Sequence, residues 1–210
     1  MTERPRIYVL AGVNGAGKSS VGGAVFLDYY NPDEAARELR DAHPDLTLAE
    51  ANALAWQKGR EMLERAIRER SDFVFETTLG GNTIPRLLGQ AAESGIEVSI
   101  WYVGLKSPEL HIERVAARVR RGGHFIPEET IRLRFERSRL NLIHLLPYLT
   151  DLRVYDNSDP ADPETGNAPA PRLVLHLKKG TILVPRPEDL PKTPEWAKPI
   201  VAAALGLTSG

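Results

Sequence analysis

Apolar positions along the chain follow two alternating rhythms. Short runs of aliphatic and aromatic residues occur at 7–11, 73–77, 97–103, 152–155 and 173–177. Between them lie longer stretches with apolar residues at helical spacing, at 19–29, 32–43, 48–70, 83–94, 108–121 and 127–146. The first kind reads as buried strands and the second as helices. Strands separated by helical crossovers predict an α/β fold: an open, mostly parallel five-stranded sheet with helices on both faces. Pro32, Pro108 and Pro127 stand at first helical positions, where a missing N–H costs nothing. Ser107 offers a capping side chain ahead of Pro108. The stretch 157–171, rich in Pro, Asp and Asn, reads as a surface loop, and Lys178-Lys179-Gly180 as a turn between two strands. The tail from 185 to 210 is proline-spaced and then weakly helical. No internal repeat appears, so residues 1–210 are expected to form a single domain, with a C-terminal extension from about 159.

Composition narrows the function. The 27 basic and 28 acidic residues leave a net charge of -1, which argues against bulk attraction to nucleic acid or to an anionic membrane. The chain has no cysteine, which excludes disulfides, thiolate metal sites and cysteine nucleophiles. No apolar run is long enough to span a membrane, and no apolar signal core precedes the first strand. A cytoplasmic location is the expectation.

The first strand runs into Gly12-Val13-Asn14-Gly15-Ala16-Gly17-Lys18-Ser19, followed by Ser20 and a helical stretch. Strand, glycine-rich loop, Lys-Ser and helix make the phosphate-binding P-loop of a nucleoside triphosphatase. Its glycines permit backbone angles that turn successive N–H groups toward one anion, and the helix dipole points the same way. Gly12, Asn14, Gly15, Ala16, Gly17, Lys18, Ser19 and Ser20 are therefore expected to hold ATP. Lys18 is expected to reach the β- and γ-phosphates, and the Ser19 hydroxyl to bind Mg²⁺.

Three further sites carry polar chemistry. Asp33, just after the P-loop helix, either accepts the proton of an acceptor hydroxyl or orients that hydroxyl, or else caps or charges the start of the next helix. Glu76 ends an apolar strand at the carboxyl edge where α/β sheets bind ligands, followed by Thr77 and Thr78. Between Arg114 and Arg139 the chain holds eight arginines and no lysine, split by Gly122-Gly123-His124. Arginine favours bidentate phosphate contacts, and a glycine hinge between helices suits a lid over ATP. The alternative is a solvated helical face paired with Glu113, Glu128, Glu129 and Glu136. The sequence lacks the Asn-Lys-x-Asp base-reading motif of GTPases and a strand of aliphatics ending in Asp-Glu. A small-molecule kinase leads. A nucleotide or nucleic-acid-end kinase and a low-turnover regulatory NTP-binding protein are the alternatives.

The ordered set of Ala11 to Ser20, Asn31-Pro32-Asp33, Phe75-Glu76-Thr77-Thr78-Leu79, Arg118 to Pro127 with its Gly122-Gly123-His124, and Asp156-Asn157-Ser158 resembles the zeta-toxin family of P-loop kinases, in its short bacterial branch. The resemblance implies a nucleoside-monophosphate-kinase-like sheet and phosphorylation of a hydroxyl on a nucleotide sugar such as UDP-N-acetylglucosamine. It also implies an antitoxin protein as partner. By position it implies that Lys18 and Ser19 serve ATP and Mg²⁺ and that Asp33 is the base. Glu76, Thr77 and Thr78 then bind substrate, and Arg118, Arg121 and Arg134 belong to the phosphate-contacting lid.

Overall fold

The structure is a computed structural model describing residues 4–22, 29–160 and 169–208. It is an α/β fold built on one six-stranded sheet in the order β2-β1-β3-β4-β5-β6. Strands β1 (Arg6–Ala11), β2 (Phe73–Thr77), β3 (Glu97–Gly104) and β4 (Asp151–Asp156) run parallel, while β5 (Arg172–Lys178) and β6 (Thr181–Val184) run antiparallel. The sheet thus has one strand more than the five expected. The sixth follows the turn at Lys179 and Gly180, whose φ angles of 48° and 74° suit a two-residue hairpin. Ile7, Val9, Leu10 and Ala11 of β1 are all buried, as befits a central strand covered on both faces.

The helices are α1 (Ser19–Gly22), α2 (Pro32–Ala42), α3 (Leu48–Glu69), α4 (Thr83–Glu93), α5 (Pro108–Val119), α6 (Glu128–Leu145) and α7 (Lys198–Thr208). The helix expected over 19–29 begins at Ser19, but residues 23–28 lie outside the described residues. Tyr29 and Tyr30 are not helical; Tyr30 bridges to Phe75 beside β2. Local chemistry sets the helix starts. Thr47 and Glu50 form a reciprocal capping box on α3, and the Ser107 hydroxyl accepts from the Leu110 N–H at 3.3 Å on α5.

The arginine-rich segment is two core helices joined by an exposed tip. Phe135, Leu142 and Leu145 of α6 sit in the main core, while Val115, Ile126 and Ile131 bury Val13 of the P-loop. Of the C-terminal segment, β5 and β6 join the same sheet. Trp196 occupies the space that a side chain at Gly104 would fill, since a Cβ there would lie 2.3 Å from its ring. The Trp196 Nε1–H donates to buried Asp156 at 3.1 Å.

Candidate active site

The P-loop crosses the carboxyl edge of β1 where its neighbours are β2 and β3, the crevice in which open α/β sheets bind ligands. Gly12 has φ 143°, and a Cβ there would lie 2.3 Å from the Val103 carbonyl oxygen, so only glycine lets the loop pass this close to β3. Three side chains fix the loop from outside. The Asn157 Nδ2–H donates to the Ala16 carbonyl at 2.8 Å. The His111 Nδ1–H donates to the Asn14 carbonyl at 2.9 Å. The Arg134 guanidinium donates to the Asn14 Oδ1 at 2.7 Å. Burial pushes the His111 imidazole down to about 4, with Lys18 and Arg114 adding to the effect against its bond to Asn14. His111 is therefore neutral near pH 7, and its carbonyl partner requires the proton on Nδ1.

Lys18 is 8% exposed, and its ammonium donates to the Gly12 carbonyl at 2.9 Å and lies 3.3 Å from the Glu76 carboxylate. This joins the P-loop lysine to the end of β2. Ser19 and Ser20, at the start of α1, are exposed. The loop after Glu76 is held by α6. The Ser138 Oγ lies 2.8 Å from the Thr78 carbonyl and 3.0 Å from the Tyr102 hydroxyl. The Asn141 amide donates to the Leu79 and Gly81 carbonyls at 2.8 and 3.0 Å. Leu79, buried, takes φ 56°, a conformation a leucine holds only where its surroundings impose it.

Asp33 stands in the first turn of α2, but it is not the cap. The Asn31 Oδ1 accepts the N–H groups of Asp33 and Glu34 at 3.0 and 3.4 Å. Asp33 is left half-exposed, with its carboxylate 3.7 Å from Arg118. Two guanidinium nitrogens of Arg118, Nε and Nη2, are buried without a hydrogen-bond partner. Buried donors of that kind point to an absent acceptor such as a phosphate. Burial lowers the Arg134 pKa from its usual value against the pull of Asp33, and burial likewise lowers that of His124.

Asn14, Lys18, Asp33, Glu76, Thr77, Thr78 and Arg134 line one cavity of about 640 Å³, together with His124 and Phe125. Arg118 stands beside it through Asp33. Arg121 is exposed on the tip joining α5 to α6 and lines none of it. The sequence reading assigned no role to His111, to Asn157, or to Asn52, Trp56 and Arg60 on the α3 wall. The last three recur every fourth residue, a spacing visible in the sequence, but only the fold shows which way that face turns. Among the described residues no helix is long and apolar enough to cross a membrane, and no group of three or more His, Cys, Asp or Glu could hold a metal.

The model of the Zeta toxin family matches residues 1–161. An uncharacterized protein of Haemophilus influenzae is 33% identical over 128 residues, which are 59% of this chain and 88% of that protein. The AvrRxo1-ORF1:-ORF2 complex with ATP is similar with a TM-score of 0.68 at 15% identity, over 92% of this chain and 64% of that one. This chain therefore spans just under two thirds of that structure's length. The PezAT chromosomal toxin-antitoxin system of Streptococcus pneumoniae is similar with a TM-score of 0.54 at 15% identity, over 74% of this chain and 68% of that one. At such identities these structures speak to the fold, whereas the family match covers the P-loop, Asp33, Glu76 and the arginine-rich helices together. The chain belongs to the zeta-toxin family of P-loop kinases.

Proposed function

We propose that this protein is an ATP-dependent kinase that phosphorylates a hydroxyl of a small molecule, with a nucleotide sugar such as UDP-N-acetylglucosamine as the acceptor. The carrying observation is the convergence of Lys18, Asp33, Glu76 and Arg134 on one cavity beside the P-loop. ATP binding is supported by the glycine cradle, by the unpartnered donors of Arg118, and by the ATP complex of the AvrRxo1 relative. The P-loop amides and Lys18 hold the β- and γ-phosphates. Ser19 is the residue to ligate Mg²⁺, which when bound offsets charge on those phosphates.

The chain's own residues then divide the work. Asp33 accepts the proton of the acceptor hydroxyl as that hydroxyl's oxygen attacks the γ-phosphorus, the bond from the γ-phosphorus to the bridging oxygen breaks, and ADP leaves. Glu76, at the floor, orients Lys18 and the acceptor, with Thr77 and Thr78 beside it. Arg134 and Arg118 add positive charge where the transferring phosphoryl group spreads its negative charge. Closure of the exposed tip between α5 and α6 excludes water, which would otherwise compete as acceptor. The toxin–antitoxin setting of PezAT supports an antitoxin protein as partner.

The reading is tested by incubating the protein with ATP and Mg²⁺ against nucleotide sugars, nucleosides and short oligonucleotides, and looking for the mass of one added phosphoryl group. Transfer to a nucleotide sugar is expected. Transfer only to oligonucleotide ends, or hydrolysis without any acceptor product, would refute it.

A further inference from the structure

The residues beyond the family match reach the P-loop through a chain of buried polar contacts. β5, β6 and α7 all follow residue 161, where that match ends. Trp196, in the short turn Glu195–Ala197 ahead of α7, is buried against Gly104 at the end of β3. Ile200, Val201 and Ala204 of α7 anchor the turn in the main core. Arg139 of α6 donates to the Trp196 carbonyl at 3.4 Å, so this arginine braces the turn.

The Trp196 indole meets Asp156, the last residue of β4. The Asp156 Oδ1 accepts the indole N–H at 3.1 Å, the Ser158 N–H at 3.2 Å and the Ser158 hydroxyl. Its Oδ2 accepts from Arg172 of β5 at 3.4 Å. The Ser158 oxygen in turn accepts the Lys106 N–H at 2.7 Å, just past β3. A buried carboxylate with several donors clamps firmly, because its charge strengthens each bond. Asn157 stands between the two clamped residues, and its own N–H donates to the Gly104 carbonyl at 3.0 Å. Trp196 therefore touches two supports of Asn157, the Asp156 carboxylate and Gly104.

The Asn157 side chain is directed at the P-loop. Its amide donates to the Ala16 carbonyl at 2.8 Å, and a Cβ on Gly17 would lie 2.3 Å from that amide nitrogen, so the approach needs glycine. The Ala16 carbonyl and the Gly17 N–H belong to one planar trans peptide and point in opposite directions. Holding the carbonyl toward Asn157 turns the Gly17 N–H to the other side of the loop. Asn157 lines none of the cavity, whereas Lys18, next to Gly17, does.

We propose that Asn157 is a positioning residue that aims the Gly17 N–H at the ATP phosphates, and that the C-terminal segment sets this aim through Trp196 and Asp156. ATP affinity then depends on a part of the chain that supplies none of the loop. This rests on the reading that the P-loop holds ATP.

The test reads the amide itself. The chain contains two Ala–Gly pairs, Ala11–Gly12 and Ala16–Gly17. Full-length protein isotope-labelled at the alanine carbonyl and the glycine nitrogen therefore gives one carbonyl-edited amide peak for each pair. The Gly12 N–H donates to the Thr77 carbonyl at 3.2 Å and serves as the internal control. Mg²⁺ with a non-hydrolysable ATP analogue, and adenosine as a probe without phosphate, are titrated into the parent, Asn157→Ala and Trp196→Phe. In the parent the Gly17 peak should move with the analogue and stay in place with adenosine. Asn157→Ala should bind the analogue at least about tenfold more weakly. Trp196→Phe keeps a ring against Gly104 but loses the N–H, and should bind it at least about threefold more weakly. In both variants adenosine should bind as in the parent, and the Gly17 response to the analogue should shrink. A Gly12 peak at its parental position in the free variants shows that the fold is intact. Parental affinity and parental Gly17 response in Asn157→Ala would overturn the proposal, and the same result in Trp196→Phe would overturn the role of the C-terminal segment. Equal losses for the analogue and adenosine would show a merely structural role and overturn it too. A parent that binds the analogue without moving the Gly17 peak overturns the proposal alone, whereas a parent that binds no analogue refutes the ATP reading beneath it. A parent that shows the full response yet transfers no phosphoryl group would refute the kinase and keep the proposal.

Discussion

Asp33→Asn separates a catalytic carboxylate from a structural one, and the structure sets the size of each effect. The capping role belongs to Asn31, whose side chain takes both free N–H groups of the first turn. Asp33 then contributes to stability only through its charge near the helix start, worth about 0.3–1 kcal/mol, and through its pair with Arg118. That pair is 3.7 Å long with both side chains more than a third exposed, a geometry worth about 0–1 kcal/mol. The substitution keeps the side chain's size, so the melting temperature should fall by about 1–8 °C at most. Loss of a general base instead costs roughly two to four decades in transfer rate, or about 3–5 kcal/mol of barrier. ATP affinity should change by less than about twofold, because Lys18 and the loop amides are untouched. Thermal melting, nucleotide titration and single-turnover transfer on the one variant give all three numbers. A transfer rate within about threefold of the parent would refute Asp33 as the base.

Three further outcomes follow from particular contacts. Arg134→Ala should lower transfer by roughly a thousandfold, as for a lost transition-state arginine, whereas Arg121→Ala on the exposed tip should stay within about threefold of the parent; equal effects in transfer assays would contradict the assignment. The folded-state value of His111, about 4, lies below its ordinary value of 6.5, so the unfolded chain takes up that proton first. Stability should therefore fall as pH drops from 6.5 toward 4, by up to about 3 kcal/mol, and His111→Asn, which can keep the donor to Asn14, should remove that part of the slope in urea melts; an unchanged slope would show that His111 is not the group responsible. Trp196→Phe removes a hydrogen bond to the buried Asp156 carboxylate, worth about 1.5–3 kcal/mol. Its melting temperature should fall by about 4–10 °C, and a drop under about 2 °C would show that the Trp196–Asp156 contact is idle.

The sheet and the P-loop were legible because their signals are local. Five apolar runs and a Gly–Lys–Ser turn declare strands and a phosphate loop without any long-range information. The sixth strand, Thr181–Val184, escaped the count because four residues with exposed Thr181 and Leu183 carry too little periodicity, although the Lys179-Gly180 turn before it was visible. The arginine-rich helices were legible as helices but not as core. Their inner faces bury Val13 of the P-loop, and that contact joins residues about a hundred positions apart. The same limit hid His111 and Asn157. Each grips a P-loop carbonyl from a distant element, and a lone His or Asn gives no pattern to read. Asp33 shows the reverse case. Sequence left a helix-start role and catalysis in balance; the Asn31 side chain takes the capping, and Asp33 keeps only its charge in the first turn of α2.

We propose above that the cavity beside Lys18 is where the γ-phosphoryl group of ATP passes to a bound hydroxyl. It is tested most directly by following label from γ-³²P ATP into UDP-N-acetylglucosamine with the parent protein and with Lys18→Ala. The parent should make a labelled nucleotide sugar and the variant at least about a hundredfold less, since the Lys18 charge that faces the transferring phosphoryl group is gone while the loop amides still bind nucleotide. No labelled acceptor from the parent, or equal labelling by Lys18→Ala, would contradict it.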